Sequence, residues 1–97
     1  MGVKTTRWDV TEHLDSSEAI AEFFEAVLEE GDPALLAAAL GDVAKARGMT
    51  QISRETGLSR ESLYRALSNE GNPELATVMK VMKALGVRLA ALPSHAA

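Results

Sequence analysis

MTQISRETGLSRESLYRALS, residues 49–68, holds two short helical patterns separated by one tight turn. Thr50 is placed to N-cap the first, and Gly57 supplies the left-handed residue that ends it. Ser59 caps the second, whose inward residues are Leu63, Ala66 and Leu67, at i, i+3 and i+4. Ile52 and Thr56, with Leu58 in the turn, close a small apolar wedge between the two helices. So short a turn makes the helices cross steeply, which is the helix-turn-helix geometry. The second helix then presents Ser59, Arg60, Glu61, Tyr64 and Arg65 outward, the outline of a DNA-reading helix.

Ser53, with Gly57 four residues later and Leu63 six beyond that, resembles the pattern of the Cro-type (XRE) helix-turn-helix repressors. Alanine is usual in that family where Ser53 stands here, and serine is tolerable because its hydroxyl can bond back to the carbonyl four residues earlier. A longer stretch, ALGDVAKARGMTQISRETGLSRESLYRALSNEGNPELATVMKVMKALGVRL (residues 39–89), resembles the addiction-module antidote family, the HigA-like antitoxins. That resemblance takes in the acidic N-terminal helix too. It implies an all-α, five-helix, lambda-repressor-like domain. It also implies a small basic RNase-like toxin of the RelE/ParE class as partner.

Ninety-seven residues fit one domain with a modest core. Few aromatics and many Ala and Leu predict small-residue helix packing. The chain has no cysteine, which excludes a disulfide frame and a thiolate zinc site. No apolar run reaches the length of a membrane span, and the N-terminus lacks the apolar centre of a signal peptide, so a cytoplasmic protein is expected. The net charge of −4 is unevenly divided. Residues 1–42 carry Lys4 and Arg7 against ten acids, a net −8; residues 43–97 carry eight cations against four glutamates, a net +4. Two surfaces with two kinds of partner follow from such a split.

Along the chain, residues 1–14 form an N-terminal arm without sustained periodicity, with Trp8 and Val10 as its anchors. Asp15 and Glu18 read as a capping box for an acidic helix within residues 15–31, whose apolar face is Ile20, Phe23, Phe24, Val27 and Leu28. Asp32-Pro33 starts the next helix, aspartate as cap and proline at the first helical position, and Gly48 ends it. Asn72-Pro73 repeats that start for a last helix striped by Leu75, Val78, Met79, Met82 and Leu85 and ended by Gly86. Residues 32–86 therefore make the helix-turn-helix core. Residues 87–97 are a tail in which 87–92 alternate weakly as one short strand that Pro93 stops. A lone strand leaves its edges unpaired, so its complement would be a copy of itself or another protein.

A recognition helix touches base edges with its first turn and again one turn later. Here those positions are Ser59, Arg60, Glu61 and Arg65. Arg60 and Arg65 can each fork onto a guanine, worth about 1–3 kcal/mol of discrimination. Glu61 can accept from a cytosine amino group or orient an arginine. Thr50 and Gln51 at the start of the first helix, and Asn69 and Asn72 beyond the second, are candidates for phosphate contacts. Tyr64 has two readings, stacking on the sugar-phosphate or packing on its own scaffold. The bland alternative for Arg60, Glu61 and Arg65 is an ordinary surface charge ladder.

Glu22, Glu25 and Glu29 form the other face of the acidic helix. With the N-terminal arm they are the surface that, on the family resemblance, faces a basic toxin. His13 and His95 stand far apart with no companion ligand or nucleophile, and no glycine-rich phosphate loop follows a strand. Neither an enzyme nor a cofactor or metal is expected. The sequence thus points to an antitoxin that represses its own operon as a homodimer on a double-stranded DNA operator. An XRE-type regulator without a toxin, or an interaction domain that has lost DNA binding, are the alternatives.

Overall fold

The computed structural model describes residues 16–94, which form five helices. They are α1 (Ser17–Glu29), α2 (Pro33–Arg47), α3 (Met49–Thr56), α4 (Arg60–Ala66) and α5 (Leu75–Ala84). The all-α class and the number of helices agree with the sequence. The N-terminal arm, Asp15 and both histidines lie outside the described residues. Among the described residues no helix is long and apolar enough to cross a membrane.

The helices are arranged around α2. Its sequence, PALLAAALGDVAKAR, is apolar on nearly every side, the pattern of a helix with neighbours all round. Ala37, Ala39, Leu40, Gly41, Val43 and Ala44 are all buried, and α2 packs against each of the other four helices. Among the helices α1 meets α2 alone, whereas α4 and α5 each rest on α2 and α3. Ile20 and Phe24 of α1, Leu40 and Val43 of α2, Ile52 of α3, Leu63 of α4, and Val81, Met82 and Leu85 of α5 close one core. Phe23 meets Phe24 edge-on, ring centroids 5.3 Å apart.

One glycine in α2 sets the tightest approach. A Cβ at Gly41 would collide with the backbone carbonyl oxygen of Leu67, at the C-terminal end of α4. α2 and the end of α4 are therefore in backbone contact, a distance open to no residue with a side chain. Gly71 does the same one turn later against the carbonyls of Arg65 and Ala66.

The short-range signals place most helix ends. Asp32 Oδ1 accepts from the Ala34 N–H at 3.0 Å, with Pro33 at the first helical position. At the end of α5 the Gly86 and Val87 N–H groups bond to the carbonyls of Lys83 and Met82, closing the last turn around left-handed Gly86. Other ends move. Ser16, not Asp15, caps α1, its Oγ accepting from the Ala19 N–H at 3.1 Å. Gly48, not Thr50, stands at the N-cap of α3, so Thr50 is already helical. α5 starts at Leu75, with Glu74 at the cap and no side-chain cap bond, rather than at Asn72-Pro73. The reason is tertiary, since Gly71 holds that loop against the end of α4 and the chain leaves it extended.

Two further expectations fail. The α5 stripe is rotated: Val78, Val81, Met82 and Leu85 are buried, while Leu75 is 65% and Met79 53% exposed. No strand forms over 87–92. Val87 and Leu89 instead pack half-buried against the core. Their alternation records a tail lying on a surface, since a single strand has no ladder partner among the described residues.

Replacing Gly41 by Ala tests the α2–α4 approach. Helix propensity alone predicts a gain of about 1 kcal/mol. The collision with the Leu67 carbonyl predicts the opposite sign, an overpacking cost of about 1–3 kcal/mol. A lower urea midpoint at unchanged m-value is the expected result.

Candidate nucleic-acid interface and acidic cleft

The turn between α3 and α4 consists of Gly57, Leu58 and Ser59. Gly57 has φ +78°, the left-handed conformation that the tight reversal requires, and its N–H bonds to the Ser53 carbonyl at 2.9 Å. Two side chains of α3 then satisfy the backbone of the turn. The Ser53 hydroxyl donates to the Leu58 carbonyl. Thr56 Oγ1 donates to the Ile52 carbonyl at 2.8 Å and accepts from the Leu58 N–H at 3.2 Å. Ser53 thus reaches forward into the turn rather than back along its own helix, the other bond open to a serine there. An alanine there would leave the Leu58 carbonyl without that donor.

α4 begins at a well-formed cap. Ser59 is extended, and its Oγ accepts from the Ser62 N–H at 3.0 Å while lying 2.9 Å from the Ser62 hydroxyl. Leu63 and Leu67 are buried and fix the inner face of the helix. Arg60, Glu61, Tyr64 and Arg65 all stand exposed on the outer one. Since α4 rests only on α2 and α3, no other helix covers that face.

Tyr64 is 43% exposed. Lys45 Nζ lies 5.8 Å and the Arg60 guanidinium carbon 6.0 Å from its ring centroid, both within cation–π range. The ring therefore has a cation of α2 and a cation of α4 close to it. Lys45, in the last turn of α2, was not among the residues singled out from the sequence. Only the packing of α4 on α2 brings it beside Tyr64. Thr50 and Gln51 are exposed in the first turn of α3, where Gln51 Nε2 donates to Glu55 Oε2 at 3.0 Å. Asn69 and Asn72 are exposed in the loop between α4 and α5.

The acidic residues stand elsewhere. Glu22, Glu25 and Glu29 are exposed on α1, which does not meet α3 or α4. Glu25 and Glu29 line an open cleft of about 770 Å³ between α1 and the C-terminal segment. Phe24 and Leu28 contribute from α1, and Val87, Arg88 and Leu92 from the segment. Glu22 lies outside that lining. The three glutamates are thus divided, two beside an apolar-floored cleft and one on the open helix surface.

Residues 4–93 match the family described as "Probable addiction module antidote protein". The chain belongs to that family. An uncharacterized protein of Haemophilus influenzae is 54% identical over 81 residues, covering 84% of each chain. No solved structure matches. An antidote implies a cognate toxin as partner.

The cap of α4 gives a test on the free protein. Ser59→Ala removes the bond to the Ser62 N–H and is expected to lower stability by about 1 kcal/mol, whereas Ser59→Asp retains an acceptor and most of that stability. Paired urea titrations measure the difference. Equal losses in both variants would show that the hydroxyl does not cap the helix.

Proposed function

We propose that this chain is an antitoxin of a toxin–antitoxin module, which neutralises a RelE/ParE-like toxin and represses its own operon by sequence-specific DNA binding. Membership of the antidote family carries the first half of this reading. The outward set on α4, two arginines and a glutamate on a helix held by a hydrogen-bonded turn, supports the second. In this reading α3–turn–α4 is an XRE-type helix-turn-helix of HigA-like kind. α4 enters the major groove, Ser59, Arg60, Glu61 and Arg65 meet base edges, and Thr50, Gln51, Tyr64, Asn69 and Asn72 meet the backbone. A homodimer sets two such helices about one DNA turn apart on a palindromic operator. Occupancy alone blocks the promoter.

The toxin is bound on the opposite charge. Glu22, Glu25 and Glu29 draw a basic partner and orient it, with Glu25 and Glu29 flanking the apolar cleft that receives it. The charge division along the chain supports this arrangement, since the acidic helix and α4 have no contact with each other. No catalytic step is assigned to the chain.

The deciding experiment is co-expression. The small open reading frame adjacent to this gene is induced alone and together with this protein. Growth arrest by the neighbour, relieved by this chain, is the expected result; arrest without relief would leave a DNA-binding regulator. On the operator, Arg60→Ala and Arg65→Ala should each lose about 5- to 150-fold in affinity, the equivalent of about 1–3 kcal/mol per bidentate base contact. That affinity should also fall steeply with salt. Reversing Glu22, Glu25 and Glu29 to lysine should weaken toxin binding and flatten its salt dependence while DNA affinity does not fall. Unchanged toxin binding would remove α1 from the toxin interface.

A further inference from the structure

We infer that Lys45, on α2 and outside the helix-turn-helix, is a DNA-phosphate contact of this chain, and that Tyr64 is the residue that positions it. The inference rests on the DNA half of the proposed function and deepens it. That reading takes its contacts from α3, α4 and the loop beyond them, and none from α2. Lys45 is exposed in the last turn of α2, its Nζ 5.8 Å from the Tyr64 ring centroid. The Arg60 guanidinium carbon lies 6.0 Å from the same centroid, so one ring gathers two cations on one flank of α4. The placement follows from the tightest contact in the fold, where Gly41 of α2 meets the Leu67 carbonyl at the end of α4. Lys45 stands four residues after Gly41, and Tyr64 three before Leu67, about one turn away along each helix. A backbone contact that cannot slide therefore keeps the lysine of α2 beside the tyrosine of α4.

That flank is where a phosphate strand would run. Successive residues of a helix are turned by about 100°. With Leu63 and Leu67 inward, Glu61 and Arg65 stand on the far side of α4. Tyr64 stands about a quarter-turn from the inward face, on the side toward Lys45. A helix whose far side enters the major groove has a sugar-phosphate backbone along each flank. A cation there meets phosphate, fixes the register of the helix and reads no sequence. Lysine is a long, freely rotating chain, and ordering it on DNA costs entropy. A ring that holds it beforehand lowers that cost, and the Tyr64 hydroxyl can donate to the same backbone.

The test is DNA binding by the full-length protein across a salt series, on a duplex spanning the region upstream of this gene and on a scrambled duplex of equal length. Lys45→Gln should weaken both by the same several-fold factor. It should also reduce the slope of log affinity against log salt by about 0.9 for each copy bound. Lys45→Arg keeps the charge and should restore the slope. In a Tyr64→Leu background the loss from Lys45→Gln should shrink; in a Tyr64→Phe background, which keeps the ring, it should not. A long-range effect of charge would be blind to the ring. Both side chains are exposed, so every variant should keep the parent's helical circular dichroism. A salt slope unchanged by Lys45→Gln, or a loss confined to the upstream duplex, would overturn the phosphate contact. Equal losses with and without the ring would overturn the positioning by Tyr64. Either result beside a weakened Arg65→Ala leaves the DNA reading standing, whereas a parent chain that binds neither duplex would overturn both.

Discussion

Everything in this fold depends on how closely α4 can be brought to α2. Gly41 lets the two backbones approach until the Leu67 carbonyl occupies the space of a missing side chain. That contact is unforgiving because it is backbone on backbone, and neither side can rotate away. It fixes the C-terminal end of α4, while the Ser53 and Thr56 hydrogen bonds to Leu58 fix the turn at its other end. A seven-residue helix has little stability of its own. Clamped at both ends, with Leu63 and Leu67 as its only deep anchors, it can present an outer face made entirely of polar and charged residues.

The same central helix separates two chemistries. The backbone of α1 lies against α2 and away from α3 and α4, and α4 lies on α2 and α3. The acidic row and the arginine-bearing helix therefore share a scaffold without sharing a surface. On the proposed function, this is how one small domain can hold an acidic-loving and an anionic partner at once. Neither needs to be displaced by direct overlap. Lys45 belongs to this picture, since it rides on α2 yet points its charge at Tyr64 of α4. It extends the positive edge of the α4 face with a residue from another element.

α5 shows how a helix with one plain amphipathic stripe can end with two. Its inward row completes the core, and its second row, Leu75 and Met79, has no partner within the described chain. The rotation follows from where the helix begins. Gly71 is pinned against the Arg65 and Ala66 carbonyls, so the chain stays extended through Glu74 and the helix enters late. Entry one residue earlier or later would turn the helix by about 100° and exchange the buried and exposed rows.

The sequence by itself determined what neighbours along the chain can settle. Asp32-Pro33, Gly57, Ser59 and Gly86 all do in the structure what their residue types dictate, because caps and left-handed turns are made of bonds spanning two to five residues. Most of the buried face of α1, the inward Leu63 and Leu67 of α4 and the exposed polar face of α4 were legible for the same reason, in spacing, although Leu28 of α1 stands 41% exposed. The tertiary structure alone decided the rest. Nothing local shows that Gly41 must meet a carbonyl 26 residues on, that Ser53 turns forward, that Lys45 reaches Tyr64, or that Leu75 and Met79 are left outside. The alternation of 87–92 looked like a strand because packing against a core and pairing in a sheet impose the same period on a sequence. Hydrogen bonds within a turn are written in adjacent residues. The distance of closest approach between two helices is a property of the pair, and it exists only once they are packed.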